Sequence, residues 1–497
     1  MEAALAGLIQ VIQPETLIII LAGFTLGYVV GAIPGFNDAN LMAILLPLTI
    51  YMDPTHAIIG MAALYFAAQT SGSIPAILMN IPGTGGNAAT TLDGYPMTRR
   101  GESAFALGSS FGASAVGAIF GAVIALLIAP SLGMFALRFG PAELFMLAAF
   151  GLTVVGSVGG GNPLKAALAI FLGILVALIG IHQSTGFERG TYGVAPLFDG
   201  ISLIPVILGL FGVPELVALT RRKKIAHTNT PAPKNSEILA GFFAAMKRRR
   251  ILVSSSIIGL IVGIIPGAGA SIGSFVSYGF AKRLSDRREN FGKGEPDGII
   301  ASDTANNAVA CGAVIPLLTL GLPGSASTTV MLAALMLHGI RPGPQFFSTH
   351  EIAAYTILWS FFVAALLIAF IGVPFARLLK GVAHTPAARL APVTLFLLFV
   401  GAYANQFSTF DMGLMVVFGI LGILMRAGGF PPAAFLLAFI LTPVLETNYQ
   451  RAVRIGGNEI FFNSPISLTL LGLSILSLLI PVTIAMARRR TTGSTKG

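Results

Sequence analysis

Asp38 lies inside an apolar run, directly after Pro34-Gly35-Phe36-Asn37 and two residues before Asn40. A charged side chain at membrane depth costs about 2.5–3.5 kcal/mol on insertion scales, so its default reading is functional. A carboxylate there can hold a small cation or carry a proton. Asp303, followed one turn later by the amides Asn306 and Asn307, is a second candidate for that task. Because it follows the charged stretch 282–297, a helix cap is its competing reading. Neutral donors collect in two other places. Pro82-Gly83-Thr84-Gly85-Gly86-Asn87 offers the Thr84 hydroxyl, the Asn87 amide and bare backbone at Gly85. Pro323-Gly324-Ser325-Ala326-Ser327 offers Gly324, Ser325 and Ser327. Free N–H groups at a helix start, with hydroxyls around them, make an anion site. That chemistry suits the carboxylate groups of a substrate.

The segments that position these groups are written twice. Gly27-x-x-x-Gly31-x-x-Pro34-Gly35 returns as Gly259-x-x-x-Gly263-x-x-Pro266-Gly267. Pro75 with Pro82-Gly83-Thr84 returns, at the same internal spacing, as Pro316 with Pro323-Gly324-Ser325. Pro and Gly interrupt helices, and in a bilayer an interruption survives only where it is buried in protein or lines a cavity. A matched pair of interrupted apolar segments, one in each half, points to the midplane binding site of a secondary transporter. The predicted substrate-binding residues are Pro34, Gly35, Asn37, Thr84, Gly85, Asn87, Gly267, Gly269, Ser271, Gly324, Ser325 and Ser327. The predicted coupling-ion residues are Asp38, Asp303, Asn306 and Asn307, with sodium or a proton as the ion and no other cofactor, metal or catalytic group. Small and hydroxyl residues also pack crowded membrane helices, which is the competing reading of each motif taken singly. Asp93, before Gly94-Tyr95-Pro96, reads as a turn residue. The Gly-x-x-x-Gly pairs read as packing faces of the half-helices or as a homodimer interface.

Composition sets the class. The chain of 497 residues is 55% hydrophobic and 10% charged, against roughly 25% charged in soluble domains, so it is a membrane protein. The single cysteine, Cys311, excludes an internal disulfide and reads as inert packing. The first 15 residues carry Glu2 and Glu15 and no basic residue, so no cleavable signal peptide is expected. A net charge of +10 raises the question of nucleic acid, but the basic residues fall where a bilayer sorts them.

Segment 251–281 has basic clusters on both flanks, Lys247–Arg250 and Lys282–Arg288, and is broken near its middle, so it enters from the cytoplasm and returns. Its counterpart 16–51 is flanked by Glu2, Glu15 and Asp53, which places its entry outside. Continuing the path gives an all-α polytopic membrane protein of two inverted structural repeats with broken or re-entrant helices and about 11–13 membrane segments. Of the 30 Lys and Arg, only Arg138, Arg189, Arg341, Arg451 and Arg454 then fall outside. The domains read as a first repeat over 1–220, a basic cytoplasmic linker over 221–250, a second repeat over 251–450, and a final helix with a basic cytoplasmic tail over 451–497.

These residues resemble the TctA family, the large membrane subunit of tripartite tricarboxylate transporters, over essentially the whole chain. The resemblance rests on Gly31-x-x-Pro34-Gly35, Asn80-Ile81-Pro82-Gly83-Thr84, Leu92-Asp93-Gly94-Tyr95-Pro96-Met97 and Gly263-x-x-Pro266-Gly267-Ala268-Gly269-Ala270. It continues through Phe291-Gly292-Lys293-Gly294, Ala305-Asn306-Asn307-Ala308, Gly321-Leu322-Pro323-Gly324-Ser325 and His338-Gly339-x-x-Pro342-Gly343-Pro344. The resemblance implies import of a di- or tricarboxylate across a bacterial inner membrane, driven by a sodium or proton gradient. Its implied partners are a periplasmic solute-binding protein and a small membrane subunit. Phe36-Asn37-Asp38 and Gly85-Gly86-Asn87 depart from the family pattern, so citrate does not follow as the substrate. Two other classes compete. An intramembrane enzyme would need a His beside Ser325 or Ser327, or paired membrane aspartates in a Gly-x-Gly-Asp context that the chain lacks. A channel would need a repeated filter. No phosphate loop for ATP coupling occurs.

Overall fold

The computed structural model describes residues 2–33, 37–158, 162–182, 185–221, 235–383, 391–404 and 406–493. They are almost wholly helical. Seven helices are long and apolar enough to cross a membrane, and seven shorter apolar ones accompany them. The chain divides into two compact units, residues 1–135 with 211–408 and residues 136–210 with 409–497. Each half of the sequence thus gives its earlier part to the first unit and its later part to the second.

The first unit carries both interrupted motifs. In the first copy, helix Pro14–Gly31 stops and helix Asp38–Thr49 begins, with Pro34–Phe36 outside the described residues. In the second, helix Arg249–Ile264 stops and helix Gly269–Leu284 begins. Gly267 and Gly269 have φ of 75° and 70°, a left-handed backbone that glycine adopts without Cβ strain. Both copies double back. Thr16, at the start of the first hairpin, hydrogen-bonds His56 at 3.1 Å, just beyond the hairpin's end. The second hairpin's two ends, Arg249–Ile251 and Leu284–Arg287, line one cleft.

Each hairpin leans on a core helix through its Gly-x-x-x-Gly pair. Cβ atoms at Gly27 and Gly31 would strike the Leu64 and Ala68 carbonyl regions of helix Pro54–Ser71. Cβ atoms at Gly259 and Gly263 would strike Ala305 and Val309 of helix Pro296–Leu320. The glycines therefore serve packing within the chain. The first core helix is capped by Asp53, which accepts from the Thr55 and His56 N–H groups at 2.9 and 3.3 Å, with Pro54 at its first position. Interrupted at Gly72, it continues as Ser73–Met79, and its path is about 39 Å long at 1.5 Å per residue, more than the hydrocarbon core. Its most apolar stretch is 94% buried, so it faces protein rather than lipid.

The loops after the two core helices are also built alike. Asn80 (φ 59°) and Gly321 (φ 71°) end the helices in the left-handed region. The Ile81 N–H donates to the Pro75 carbonyl and the Leu322 N–H to the Pro316 carbonyl, at 3.3 and 3.1 Å. A Cβ on Gly83 would meet the Gly31 carbonyl and the Gly72 Cα, and one on Gly324 would meet the Gly263 carbonyl and Ala313. Short helices follow, Thr91–Arg99 after the first loop and Ala326–Leu337 after the second.

Some features were not foreseen. Within 221–250, residues Asn235–Met246 form a helix whose Gly241 packs on the Phe105 carbonyl, while 222–234 lie outside the described residues. Helix Pro296–Leu320 starts seven residues before Asp303, so Asp303 is interior and not a cap. Cys311 is buried, with its thiol toward the Ala118 carbonyl at 3.4 Å.

The second unit holds helices Pro141–Val158, Pro163–Ala177, Thr409–Gly428, Pro432–Gly456 and Pro465–Gly493, with a two-residue ribbon pairing Gly180–Ile181 to Glu188–Arg189. Arg189 grips Glu446 through two bonds of 2.6 and 3.2 Å. The chain re-enters the first unit within a π-helical turn, Leu208–Gly212.

The two loop glycines generate a paired prediction. Gly83→Ala and Gly324→Ala each force a Cβ into backbone and lower stability by about 1–3 kcal/mol, as overpacking does. Gly279→Ala, where a Cβ meets nothing within 4 Å, does not. Apparent melting temperatures of the detergent-solubilised variants check the contrast.

Candidate functional site

Asp38 begins helix Asp38–Thr49, and Asn37 caps it by accepting from the Ala39 N–H at 3.1 Å. The Asp38 carboxylate is 3% exposed. One oxygen, Oδ2, accepts from the Ser327 hydroxyl at 2.5 Å and from the Gln69 side-chain amide at 3.0 Å. Ser327 lies in the first turn of helix Ala326–Leu337. Ser325 caps that helix in a capping box, its Oγ accepting from the Thr328 N–H while the Thr328 hydroxyl accepts from the Ser325 N–H. The break in the first half therefore meets the loop of the second half.

Gln69 joins this crossing to the rest. Its side-chain oxygen accepts from the Thr84 hydroxyl at 3.0 Å, and Thr84 also reaches Asn87 at 2.7 Å. The backbone carbonyl of Gln69 accepts from two amides, Asn87 Nδ2 and Asn306 Nδ2, both at 3.1 Å. Asn87 belongs to the first-half loop and Asn306 to the second core helix. At the next residue on each helix, the Asn307 side-chain oxygen accepts from the Thr70 hydroxyl at 2.9 Å.

The break in the second half meets the loop of the first half. A Cβ on Gly85 would lie 2.6 Å from the Ser271 hydroxyl, and one on Gly86 would strike Asn306 Oδ1 and lie 2.9 Å from the Ala270 Cβ. Glycine at these two positions lets the loop lie directly against the Ser271, Asn306 and Ala270 side chains. Asn306 Oδ1 is buried without a hydrogen-bond partner. Ala270 stands in the second motif where Asp38 stands in the first, four residues after the Pro of Pro-Gly. The two crossings thus match in backbone and differ in charge: one holds a carboxylate, the other a hydroxyl, bare backbone and a free amide oxygen.

Asp303 lies deeper, fully buried. Its Oδ1 accepts from the Thr90 hydroxyl at 2.5 Å, which also lies 3.2 Å from Ser302, while Oδ2 has no hydrogen-bond partner. Asp38 and Asp303 are thus two buried carboxyl groups whose hydrogen-bond donors are neutral. Among the described residues no three His, Cys, Asp or Glu side chains gather as metal ligands.

Of the predicted residues, Pro34 and Gly35 lie outside the described residues. Asn37, Asp38, Thr84, Asn87, Ser325, Ser327, Asn306 and Asn307 share one buried region, and Asp303 extends it through Thr90. Gly85 and Ser271 form the second crossing, and Gly267 and Gly269 shape its backbone. Gly324 acts in packing, against Ala313 and the Gly263 carbonyl. Asp93 is a clamp. Its Oδ1 accepts from the backbone N–H groups of Gly292, Gly294 and Glu295 at 2.8, 2.7 and 2.9 Å, and its Oδ2 accepts from the Tyr278 hydroxyl at 2.9 Å. It therefore fixes the loop before the second core helix. Beside it, burial pushes the Glu295 carboxyl above its ordinary pKa, with Asp297 adding to the rise and Arg287 opposing it. The sequence reading missed Gln69 and Thr70. A polar run, Gln69-Thr70-Ser71 inside an otherwise apolar helix, was the available signal. It missed Glu215 too, buried and accepting from the Asn40 amide at 2.7 Å.

Two comparisons bear on this geometry. A family model described as the tripartite tricarboxylate transporter TctA family matches residues 17–437. An uncharacterized 52.8 kDa protein in the TAR-I ttuC' 3' region of Agrobacterium vitis is 33% identical over 488 residues, covering 96% of this chain and 95% of that protein. An uncharacterized protein in the TAR-II ttuC' 3' region of the same organism is 32% identical over 234 residues, covering 47% of this chain and 97% of its own length.

Gln69→Met, close in volume, strips the amide from Asp38 and the acceptor from Thr84. It is expected to cost about 2–3 kcal/mol, more than Ser327→Ala, which leaves Asp38 its second donor. Thermal unfolding in detergent orders the two variants. Asp93→Ala frees three backbone donors in the 292–295 loop. Losing one charge-assisted bond of about 1.5 kcal/mol already speeds trypsin cleavage at Lys293 roughly tenfold, and timed digestion of the folded protein reads it.

Proposed function

The chain belongs to the tripartite tricarboxylate transporter TctA family, and from that premise we propose that it is the large membrane subunit of a carrier importing a di- or tricarboxylate. The observation that carries the reading is the crosswise meeting of breaks and loops, Asp38 with Ser327 and Ser271 with Gly85, around Gln69. Broken helices that meet deep inside a membrane bundle can supply freed backbone groups to a substrate and its ion.

The difference between the crossings suggests a division of labour. Asp38 takes the coupling cation, sodium or a proton, with Asp303, Asn306 and Asn307 as the deeper oxygen ligands. Substrate carboxylates take the N–H groups and hydroxyls around Ser271, Gly85, Thr84 and Ser325. Neutral donors suit a substrate that must leave again, because they bind an anion without a fixed counter-charge.

An inverted duplication fits the contacts. The first core helix leaves the base of the first hairpin, where Thr16 meets His56, and its continuation ends at Thr91–Arg99, where Arg100 donates to the Lys293 and Gly294 carbonyls. The second core helix leaves that end, where Arg248 pairs with Asp297, and its continuation closes at His338, which meets Thr49 at 3.2 Å. On this reading the two paths run in opposite senses. With the basic clusters at 247–250 and 488–490 inside, the carrier sits in the bacterial inner membrane with a cytoplasmic C-terminus. It works with a small membrane subunit and a periplasmic binding protein, and performs no covalent chemistry. Transport then follows from an elevator-like or rocking movement of the broken-helix bundle.

The test is uptake into proteoliposomes holding this chain and its small partner, with the binding protein outside. Labelled di- and tricarboxylates are offered under a sodium gradient, then a proton gradient. Accumulation above equilibrium is expected under one gradient, and Asp38→Asn drops it to background while substrate exchange at equal concentrations survives. Flux that only equilibrates would make the protein a channel, and no flux under either gradient would overturn the carrier.

A further inference from the structure

At the base of the second hairpin lies a cleft of about 780 Å³, between the start of helix Arg249–Ile264 and the end of helix Gly269–Leu284. Lys247, Arg249 and Arg250 are exposed along its wall. The acids in the cleft do not balance them: Asp297 is taken by Arg248 at 2.9 Å, and Asp286 is the other acid of the lining. The first turn of helix Arg249–Ile264 has no side-chain cap, so its N–H groups add positive potential at the same place. Anionic groups with several acceptor oxygens fit that arrangement, and Arg binds phosphate bidentately.

What lies beyond the cleft decides which anion. From it, two apolar stripes run along the hairpin. Val253, Ile257 and Ile261 are 53, 44 and 56% exposed on one helix, and Val276, Phe280 and Leu284 are 49, 41 and 67% exposed on the other. Both repeat every four residues, which puts each stripe on one helix face. A basic cleft that opens onto two exposed apolar stripes of a membrane protein has the shape of a headgroup above two chains. We propose that this cleft binds one anionic glycerophospholipid, its phosphodiester held by Lys247, Arg249 and Arg250 and its acyl chains laid along the stripes. The inference rests on the chain's membrane residence and is independent of what it transports.

Native mass spectrometry of the full chain, purified in detergent and given equal phosphatidylglycerol and phosphatidylcholine, tests it. The wild type is expected to retain one phosphatidylglycerol in preference to phosphatidylcholine. Arg249→Gln with Arg250→Gln weakens that retention roughly 30-fold, about fivefold per surface charge. Lys282→Gln with Arg283→Gln, exposed charges outside the cleft, leaves it unchanged. Equal retention of the two lipids by the wild type overturns the proposal, and so does equal loss in both double variants. Displacement of phosphatidylglycerol by millimolar inorganic phosphate would make this a free-anion site and overturn the lipid assignment. Equal retention by the wild type overturns the proposal even if the Arg249/Arg250 variant fails to fold.

Discussion

The central region of the first unit depends on one residue's three polar groups. The Gln69 amide nitrogen donates to Asp38, its side-chain oxygen accepts from Thr84, and its backbone carbonyl accepts from Asn87 and Asn306. A helical carbonyl is normally satisfied by the N–H four residues on. Here that partner would be the Ser73 N–H, just past the Gly72 interruption, and two side-chain amides come to the carbonyl. The interruption in the first core helix and the hydrogen-bond network are therefore the same event. Buried in a low dielectric, such a network rigidifies when complete and is costly when a member is lost. It ties the first break, the first loop and the second core helix into one object. Asn306 Oδ1 and Asp303 Oδ2 remain open within it.

Repetition explains the backbone, and departure from repetition explains the chemistry. Glycine pairs press each hairpin on its core helix, left-handed residues end both core helices, and a loop glycine touches the hairpin carbonyl in each half. These contacts involve backbone, so both copies keep the same small residues. Side chains at the crossings are free to differ, and they do: Asp38 against Ala270, and Gly86 against Ser327. A symmetric frame with one charged crossing has a direction, which a coupled carrier needs and a symmetric pore does not.

The architecture was legible because it is written in residues with strong backbone preferences. Pro-Gly inside an apolar run admits few readings, and two copies at matched spacing admit fewer. Helix Ala391–Ala404 and the start of Pro141–Val158 follow directly from apolar runs bounded by Pro and Gly. Gln69 was not legible, because one amide in a long helix looks like many others until the interruption at Gly72 shows which groups it must satisfy. Asp93 misled differently. A carboxylate near a membrane surface suggests a turn, yet its three backbone partners lie about two hundred residues away, and no local pattern encodes them. The helix Asn235–Met246 escaped because basic flanks dominate 221–250, while its packing face, Ile238, Gly241 and Ala245, is only three small or apolar residues.

The buried carboxylates carry the last consequence. Asp38 and Asp303 both find hydroxyl or amide donors, and those are neutral. An ion pair would have fixed each charge permanently and left nothing to couple. Neutral donors orient the oxygens without cancelling the charge, so the balance is left to a species that can arrive and depart. The same logic runs through the opposite crossing, where Ser271 and glycine backbone can orient an anion and still release it. On the proposed function, affinity at both crossings would be held to what reversible occupation allows, the condition a carrier must meet at the substrate and at the ion together.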